Sequence, residues 1–170
     1  MESYIWSHLN KLQVGKCAEY FVKTELMKHG FEVYSAEVID QGIDFVARRD
    51  CGHLIEVKTK SLRLPDSPYA LMEKSKFVLR DSLYLALTVF VDGKPPDLYP
   101  IPSLAWKNQN ALLVSCDYLG SDEHPQEWGV SISGKGALLL EPYRFDLAVN
   151  NFLTHTAPGY VCGGPSEYAQ

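Results

Sequence analysis

The spacing of apolar residues follows a helical period at the start of the chain and then changes to the shorter period of strands. From about residue 6 to residue 29, a 3.6-residue period predicts an amphipathic helix, with Gly30 as its C-cap. The apolar stripe of this helix is Leu12, Val14, Ala18, Phe21, Val22 and Leu26. Residues 31–38, 43–47 and 53–59 are predicted strands, and the turn-like Asp40-Gln41-Gly42 separates the first from the second.

The rest of the chain predicts further strands and a closing helix. Residues 83–91 form a continuous apolar run that predicts a central strand buried on both faces. Before it, residues 62–72 predict a loop and residues 73–80 a short helix. After it we expect an edge strand at 98–101, where Pro100 removes a ladder donor. Shorter features follow: strands at 112–116 and 130–132, a turn at 133–136, an apolar run at 138–140 and a helix at 143–153.

This order of elements predicts an α/β fold with a central mixed β-sheet flanked by helices. A length of 170 residues suits one domain, which we place at residues 1–153. From about Thr154, proline, glycine and small polar residues dominate, so residues 154–170 are expected to form a flexible tail.

Charged residues are concentrated where the second and third predicted strands meet. Side chains alternate across a strand, so Glu56 and Lys58 share one face, and Asp44 lies on the preceding strand. A hairpin turning at residues 50–52 would place Asp44 roughly opposite Glu56, with Cβ atoms ~5 Å apart. Two carboxylates that close resist joint ionisation, and Mg²⁺ or Mn²⁺ would relieve the conflict. Lys58 would then hold a phosphate or position an attacking water.

Glu19 lies at the margin of the helical apolar stripe and is a further candidate acid. A charge at such a boundary is costly unless it is paired or binds a metal. Each residue also has an ordinary structural explanation: Glu-x-Lys is commonly a solvated strand face or an ion pair, Asp44 fits a turn, and Glu19 fits a helix surface. The joint order of these residues is what indicates a site.

Composition limits the functional classes. The net charge is −5, whereas DNA-binding proteins more often carry a basic excess. A local basic cluster either offsets this charge or forms a solvated rim: Arg48, Arg49, His53, Lys58, Lys60 and Arg63. The four cysteines form no C-x-x-C pair, so neither zinc nor a disulfide framework is indicated, and we expect a cytoplasmic protein. We expect neither a membrane span nor a signal peptide.

The ordered pattern of acids resembles the PD-(D/E)xK nuclease superfamily, which includes restriction endonucleases, and looks most like its resolvase-like branch. There, a Gly-x-x-x-Glu helix precedes Gly-x-Asp and then Glu-x-Lys. The matching pairs are Gly15 and Glu19, Gly42 and Asp44, and Glu56 and Lys58. The resemblance covers about residues 12–92, and Ile43 stands in place of the proline that names the superfamily.

The resemblance implies a restriction-endonuclease-like αβββαβ core with a metal site. Asp44 and Glu56 would bind the metal with help from the Val57 carbonyl, Lys58 would be the catalytic lysine, and Glu19 would support the site. Residues 97–153 lie outside the resemblance and are expected to be an elaboration. Its Trp106 and Trp128 are expected in the core, or alternatively as an aromatic platform for nucleic acid.

Two functions remain open from the sequence. The first is a Mg²⁺- or Mn²⁺-dependent nuclease that hydrolyses phosphodiester bonds, with DNA as the expected substrate. The second is an inactive nuclease-fold protein that acts as a protein- or nucleic-acid-interaction module. A homodimer is a further expectation, because many nucleases of this fold cut two strands with two subunits.

Overall fold

The computed structural model describes residues 4–35, 42–49, 54–117 and 125–154, with side chains described as far as residue 149. In chain order its elements are α1 (Lys11–Lys28), β1 (Phe31–Ser35), β2 (Phe45–Arg49), β3 (Ile55–Leu64), β4 (Tyr69–Glu73), β5 (Leu83–Val91), β6 (Asp97–Pro102), β7 (Leu113–Cys116), β8 (Glu127–Ser131), α2 (Lys135–Leu140) and α3 (Phe145–Thr154). Short 3₁₀ helices occupy Ser103–Lys107 and Glu141–Tyr143.

A five-stranded sheet in the order β1-β2-β3-β5-β6 forms the centre of the fold. β3 and β5 run parallel and pair from Glu56 with Leu83 to Leu64 with Val91, while the other neighbours are antiparallel. The predicted mixed sheet flanked by helices is therefore confirmed. A second, antiparallel sheet has the order β4-β8-β7.

The two faces of the central sheet are covered by different elements. On one face, Val22 and Leu26 of α1 share a buried cluster with Phe45, Val57 and Ala86 of the sheet. On the other face, side chains of β3, β5 and β6 join the second sheet and Trp106 in a larger cluster. β5 is buried on both faces, and its observed bounds are those predicted, as expected for an apolar run without alternation.

Helix α1 begins at Lys11 instead of near residue 6. Asn10 caps it: the Asn10 side chain accepts from the Gln13 backbone N–H, and the Gln13 side chain accepts from the Asn10 N–H. The residues before the cap are held elsewhere, because the backbone N–H groups of Trp6 and Ser7 donate to the Asp92 carboxylate. Leu12, predicted in the apolar stripe, is 77% exposed.

Two predictions between β3 and β5 were wrong. The predicted loop at 62–72 instead contains the end of β3 and most of β4, since Leu62, Ala70 and Met72 are buried in the larger cluster. The predicted helix at 73–80 is a turn, in which Phe77 N–H donates to the Glu73 carbonyl and the Phe77 ring packs edge-on against Trp106. Strand β4 and this turn therefore stand where the αβββαβ core would have its second helix.

The later predictions agree with the structure apart from their bounds. β6 is an edge strand of the central sheet, and β7, β8 and α3 lie close to where they were expected. The predicted turn at 133–136 is shorter, because α2 begins at Lys135 and takes in the apolar run at 138–140. Apart from Thr154, which ends α3, the predicted tail lies outside the described residues. Cys51 and Cys162 also lie outside them, and Cys17 and Cys116 are free thiols. No helix in the described ranges is long and apolar enough to cross a membrane.

Candidate active site

The register of the β2–β3 hairpin sets which charged side chains meet. Phe45 pairs with Val57, and Val46 pairs with Glu56. The predicted placement of Asp44 opposite Glu56 was therefore wrong. The buried residues explain the register, because Phe45, Ala47 and Val57 must all point under α1. Since the register differs from the predicted one by an even number of residues, the predicted faces are retained.

Asp44 is held by residues of its own hairpin. Its Oδ1 accepts from Lys58 Nζ at 2.9 Å, and its Oδ2 accepts from the backbone N and the hydroxyl of Thr59, each at 2.6 Å. The Asp44 backbone N–H donates to the Val57 carbonyl at 2.8 Å. Both the Asp44 and the Lys58 side chains are mostly buried, so this carboxylate is oriented within a partly desolvated ion pair.

Glu56 is held from outside the hairpin. Its Oε2 accepts from Arg80 Nε at 2.5 Å and from the Ser82 hydroxyl at 2.8 Å. The hydrogen bond from Arg80 holds the pKa of Glu56 below its usual value, although burial works in the opposite direction. The buried Ser103 hydroxyl fixes the Arg80 backbone, accepting from its N–H at 2.9 Å and donating to its carbonyl at 2.7 Å.

Sequence reasoning missed Arg80 and Ser82. Ser82 directly precedes β5, whose first residue, Leu83, pairs with Glu56 in the parallel register. A parallel β3–β5 pair inferred from the sequence would therefore have placed Ser82 near Glu56. Arg80 gave no such signal, because its side chain reaches Glu56 from an irregular turn.

Gly42, two residues before Asp44, lies against the backbone of Lys76, in the irregular segment that leads to Arg80. Its φ is +73°, and a Cβ at this position would overlap the Lys76 carbonyl oxygen. Both the backbone angle and the close approach therefore require glycine. Gly15, the other glycine matched in the resemblance, has open space within 4 Å of where a Cβ would lie, so packing does not explain its identity.

Glu19 is paired within α1. It accepts from Lys16 at 2.8 Å and from Lys23 at 2.7 Å, and Lys23 also donates to the Ser35 hydroxyl. Burial raises the pKa of Glu19, but the hydrogen bonds from both lysines outweigh it and leave the pKa below its usual value. In the described part of the chain, no three acid, histidine or cysteine side chains gather closely enough to form a metal cluster. The structure thus joins Asp44 to Lys58 but leaves Glu56 and Glu19 with other partners.

The basic cluster predicted from the sequence divides between several partners. Arg48 donates to Glu32 at 2.7 Å, and Arg63 donates to the Leu9 carbonyl at 2.6 Å, so both have structural contacts. His53 lies outside the described residues. Lys60 remains on the face that carries Glu56 and Lys58. The aromatic platform is not formed by Trp106, which is fully buried and donates to the Gly129 carbonyl.

The chemistry of the donor atoms fits a hard divalent cation. Asp44, Glu56 and the Val57 carbonyl offer only oxygen, the donor that Mg²⁺ and Mn²⁺ prefer. Asp44 directly precedes β2 and Glu56 lies on the paired strand β3, and each carboxylate contacts a side-chain cation. A divalent ion would compete with Lys58 and Arg80 for these oxygens.

A solved structure shares this fold. Comparison of the sequence with protein-family models gives no match, and no curated protein is significantly similar. The structure is similar to that of a bacterial homing endonuclease, I-Ssp6803I, with a TM-score of 0.50 and 14% sequence identity over 85% of this chain and 91% of that one. At this identity the likeness establishes the fold alone: the chain has a mixed α/β fold that is also found in a nuclease.

Proposed function

We propose that this protein is a divalent-metal-dependent nuclease that hydrolyses phosphodiester bonds in DNA. The observation that supports this most is that Glu56 and Lys58 share one face of β3, while Asp44, directly before β2, pairs with Lys58. The resemblance to the PD-(D/E)xK motifs rests on the same residues. The fold shared with a homing endonuclease agrees with the proposal.

Each residue of the site has a distinct role in the proposed reaction. Asp44, Glu56 and the Val57 carbonyl would hold Mg²⁺ or Mn²⁺. When bound, the ion polarises the phosphate and lowers the pKa of a coordinated water. Lys58 would carry its ammonium to the phosphate or the attacking water, and the two donors of Thr59 keep Asp44 oriented. Glu19 would act indirectly. It forms an ion pair with Lys16, and the charge of Lys16 interacts with that of Asp44.

The alternative is an inactive module of the same fold that binds a protein or nucleic-acid partner. One observation favours it: the ion pairs Asp44–Lys58 and Glu56–Arg80 already compensate both acids. A stable protein partner in a pull-down, together with no metal binding by the isolated chain, would support this alternative. The predicted cytoplasmic location and homodimer stay predictions, and a monomeric mass at micromolar concentration would contradict the dimer.

The test is calorimetric titration of Mn²⁺ into the wild type, Glu56→Ala and a matched control, Glu25→Ala. Glu25 suits the comparison because its side chain is 18% exposed, against 25% for Glu56, and it too is paired with a cation. We expect the wild type and Glu25→Ala to bind Mn²⁺, and Glu56→Ala to lose binding. The same samples are then incubated with plasmid and branched DNA.

Cleavage by the wild type and the control, but not by Glu56→Ala, would support the nuclease. Binding without cleavage would point to another substrate or a missing partner. No binding by the wild type, or full cleavage by a folded Glu56→Ala protein, would overturn the proposed mechanism.

A further inference from the structure

Lys60 is a half-buried cation for which the described residues provide no partner. It follows Glu56 and Lys58 on the same face of β3, where alternate side chains point the same way. Lys58 contacts Asp44, whereas Lys60 makes no hydrogen bond or ion pair with any residue that the structure describes. Burial, and then the charge of Lys58, lower the pKa of Lys60.

The charged groups around Lys60 do not neutralise it. Lys58 and Lys11 disfavour its positive charge, while Asp44 and Glu127 favour it without contacting it. Asp44 is already engaged by Lys58 and Thr59. A half-buried cation beside other cations is unfavourable in the free protein, so an anion that reached this position would be stabilised.

We propose that Lys60 binds a backbone phosphate of the nucleic acid, adjacent to the phosphate held at Lys58. This inference rests on the proposed function and adds a binding subsite to it. Residues 58 and 60 are separated by two strand rises of ~3.3 Å each, about the spacing between successive phosphates in a nucleic-acid strand. The two ammonium groups would thus contact one strand at consecutive positions.

The packing of β3 marks where this subsite ends. The next residue on the same face, Leu62, is buried in the cluster that the second sheet covers. Lys60 is therefore the last charged side chain of the row, and the bound strand would leave the sheet beyond it. Lys11, the first residue of α1, is close enough to Lys60 for the two charges to interact.

The test compares wild type, Lys60→Met and Lys107→Met in binding a short fluorescent DNA duplex across a range of salt concentrations, with Ca²⁺ in place of Mg²⁺. Methionine keeps much of the length of the side chain without its charge, and Lys107 is an exposed lysine outside the row. Each phosphate contact adds ~0.9 to the slope of log K against log salt concentration. We expect Lys60→Met to lower the slope by about one and to weaken binding ~10-fold at 0.1 M salt, and Lys107→Met to change neither.

A second measurement, thermal unfolding without DNA, separates binding from structure. Because the free protein carries Lys60 without a contact partner, Lys60→Met should melt at a temperature equal to or above that of the wild type. A lower melting temperature than that of Lys107→Met would show that Lys60 stabilises the free fold and would overturn the inference.

The outcomes also distinguish this inference from the proposed function. Wild-type cleavage together with an unchanged salt slope for Lys60→Met would overturn the subsite alone. Equal losses of DNA affinity in Lys60→Met and Lys107→Met would show a general charge effect and would also overturn the subsite. If the wild type bound no DNA, the subsite would fail, and the Mn²⁺ titration would decide separately whether the metal site stands.

Discussion

Asp44 directly precedes β2, and Glu56 lies on the neighbouring strand β3, yet different parts of the chain hold them. The donors to Asp44, Lys58 and Thr59, come from the opposite strand of its own hairpin. The donors to Glu56, Arg80 and Ser82, come from the turn before β5. The hairpin therefore orients one acid, while the other is oriented only when the chain returns to the central sheet.

The difference suggests separate duties for the two cations. Lys58 is held between the strands by an acid that is itself fixed by Thr59. Arg80 extends from a turn whose backbone is fixed by Ser103 and by the close contact between Lys76 and Gly42. We expect Lys58 to act on the phosphate or the attacking water, and Arg80 to compete with the metal for Glu56. Substitutions can separate these two roles.

The largest expected effect comes from neutralising either acid. Asp44→Asn and Glu56→Gln should each abolish Mn²⁺ binding and lower the cleavage rate by ~10³-fold or more, because the metal contributes several kcal/mol to transition-state stabilisation. Asp44→Asn should also lower the free energy of unfolding more, by about 1.5–3 kcal/mol, because three donors lose a charged acceptor. Calorimetry, cleavage assays and urea unfolding would measure these changes. Equal cleavage by Asp44→Asn and the wild type would contradict the assigned role.

The next effect separates the two cations. Lys58→Met should lower the cleavage rate ~10²-fold or more while Mn²⁺ still binds, because the ammonium acts on the phosphate or the water. Arg80→Met should keep the cleavage rate within ~10-fold of wild type, since one charge-assisted hydrogen bond is worth about 1.5 kcal/mol. Single-turnover cleavage at saturating metal would measure both. A larger loss in Arg80→Met than in Lys58→Met would reverse the assignment.

Metal affinity gives a smaller effect of opposite sign. Arg80→Met should bind Mn²⁺ ~10-fold more tightly than the wild type, because the metal no longer displaces a hydrogen bond worth about 1.5 kcal/mol. Arg144→Met is the control, since Arg144 pairs with Asp97 and Asp146 away from the site. Titration calorimetry would measure both affinities. Unchanged affinity in Arg80→Met would show that the Glu56–Arg80 contact does not compete with the ion.

The smallest expected effect is on stability against pH. The pKa of Glu56 is lowered in the folded protein, chiefly by Arg80, so its contribution is present above the unfolded pKa of ~4.3 and is lost as the pH falls through the folded pKa. The free energy of unfolding of the wild type should therefore exceed that of Arg80→Met by at most about 1.5 kcal/mol at pH 7, and this difference should shrink below pH 4. Urea unfolding from pH 7 to pH 3 would measure it. A difference that grows in acid would contradict the stated cause.

The sequence predicted what depends on local periodicity. The run at 83–91 lacks alternation and becomes β5, and the alternation around Glu56 and Lys58 places both on one face. The sequence marks Gly42 as part of a turn and of the Gly-x-Asp motif, and the structure adds the reason for glycine: a positive φ against the Lys76 backbone. The placement of Asp44 opposite Glu56 did not follow from the predicted turn at 50–52, because a turn centred on residue 51 pairs Phe45 with Val57, as the structure does.

Features that depend on distant pairing could not be predicted. Ala70 and Met72 do alternate with exposed neighbours, but prolines precede the segment and its partner, β8, lies more than fifty residues later. The partnership of Glu56 with Arg80 likewise has no local pattern. Such contacts follow from the three-dimensional path of the chain, which no short window of sequence contains.

The pairing of β4 with β8 has a consequence for how the chain folds during synthesis. When the ribosome has released the residues of the site, Asp44 to Arg80, the partner strand Glu127–Ser131 has not yet been made. Until then Ala70 and Met72 lack the Val130 side chain, which completes their buried cluster. Nascent chains would expose this apolar surface until β8 has been synthesised. We expect long-range pairing of this kind to limit the folding rate, and chaperone binding to concentrate at β4.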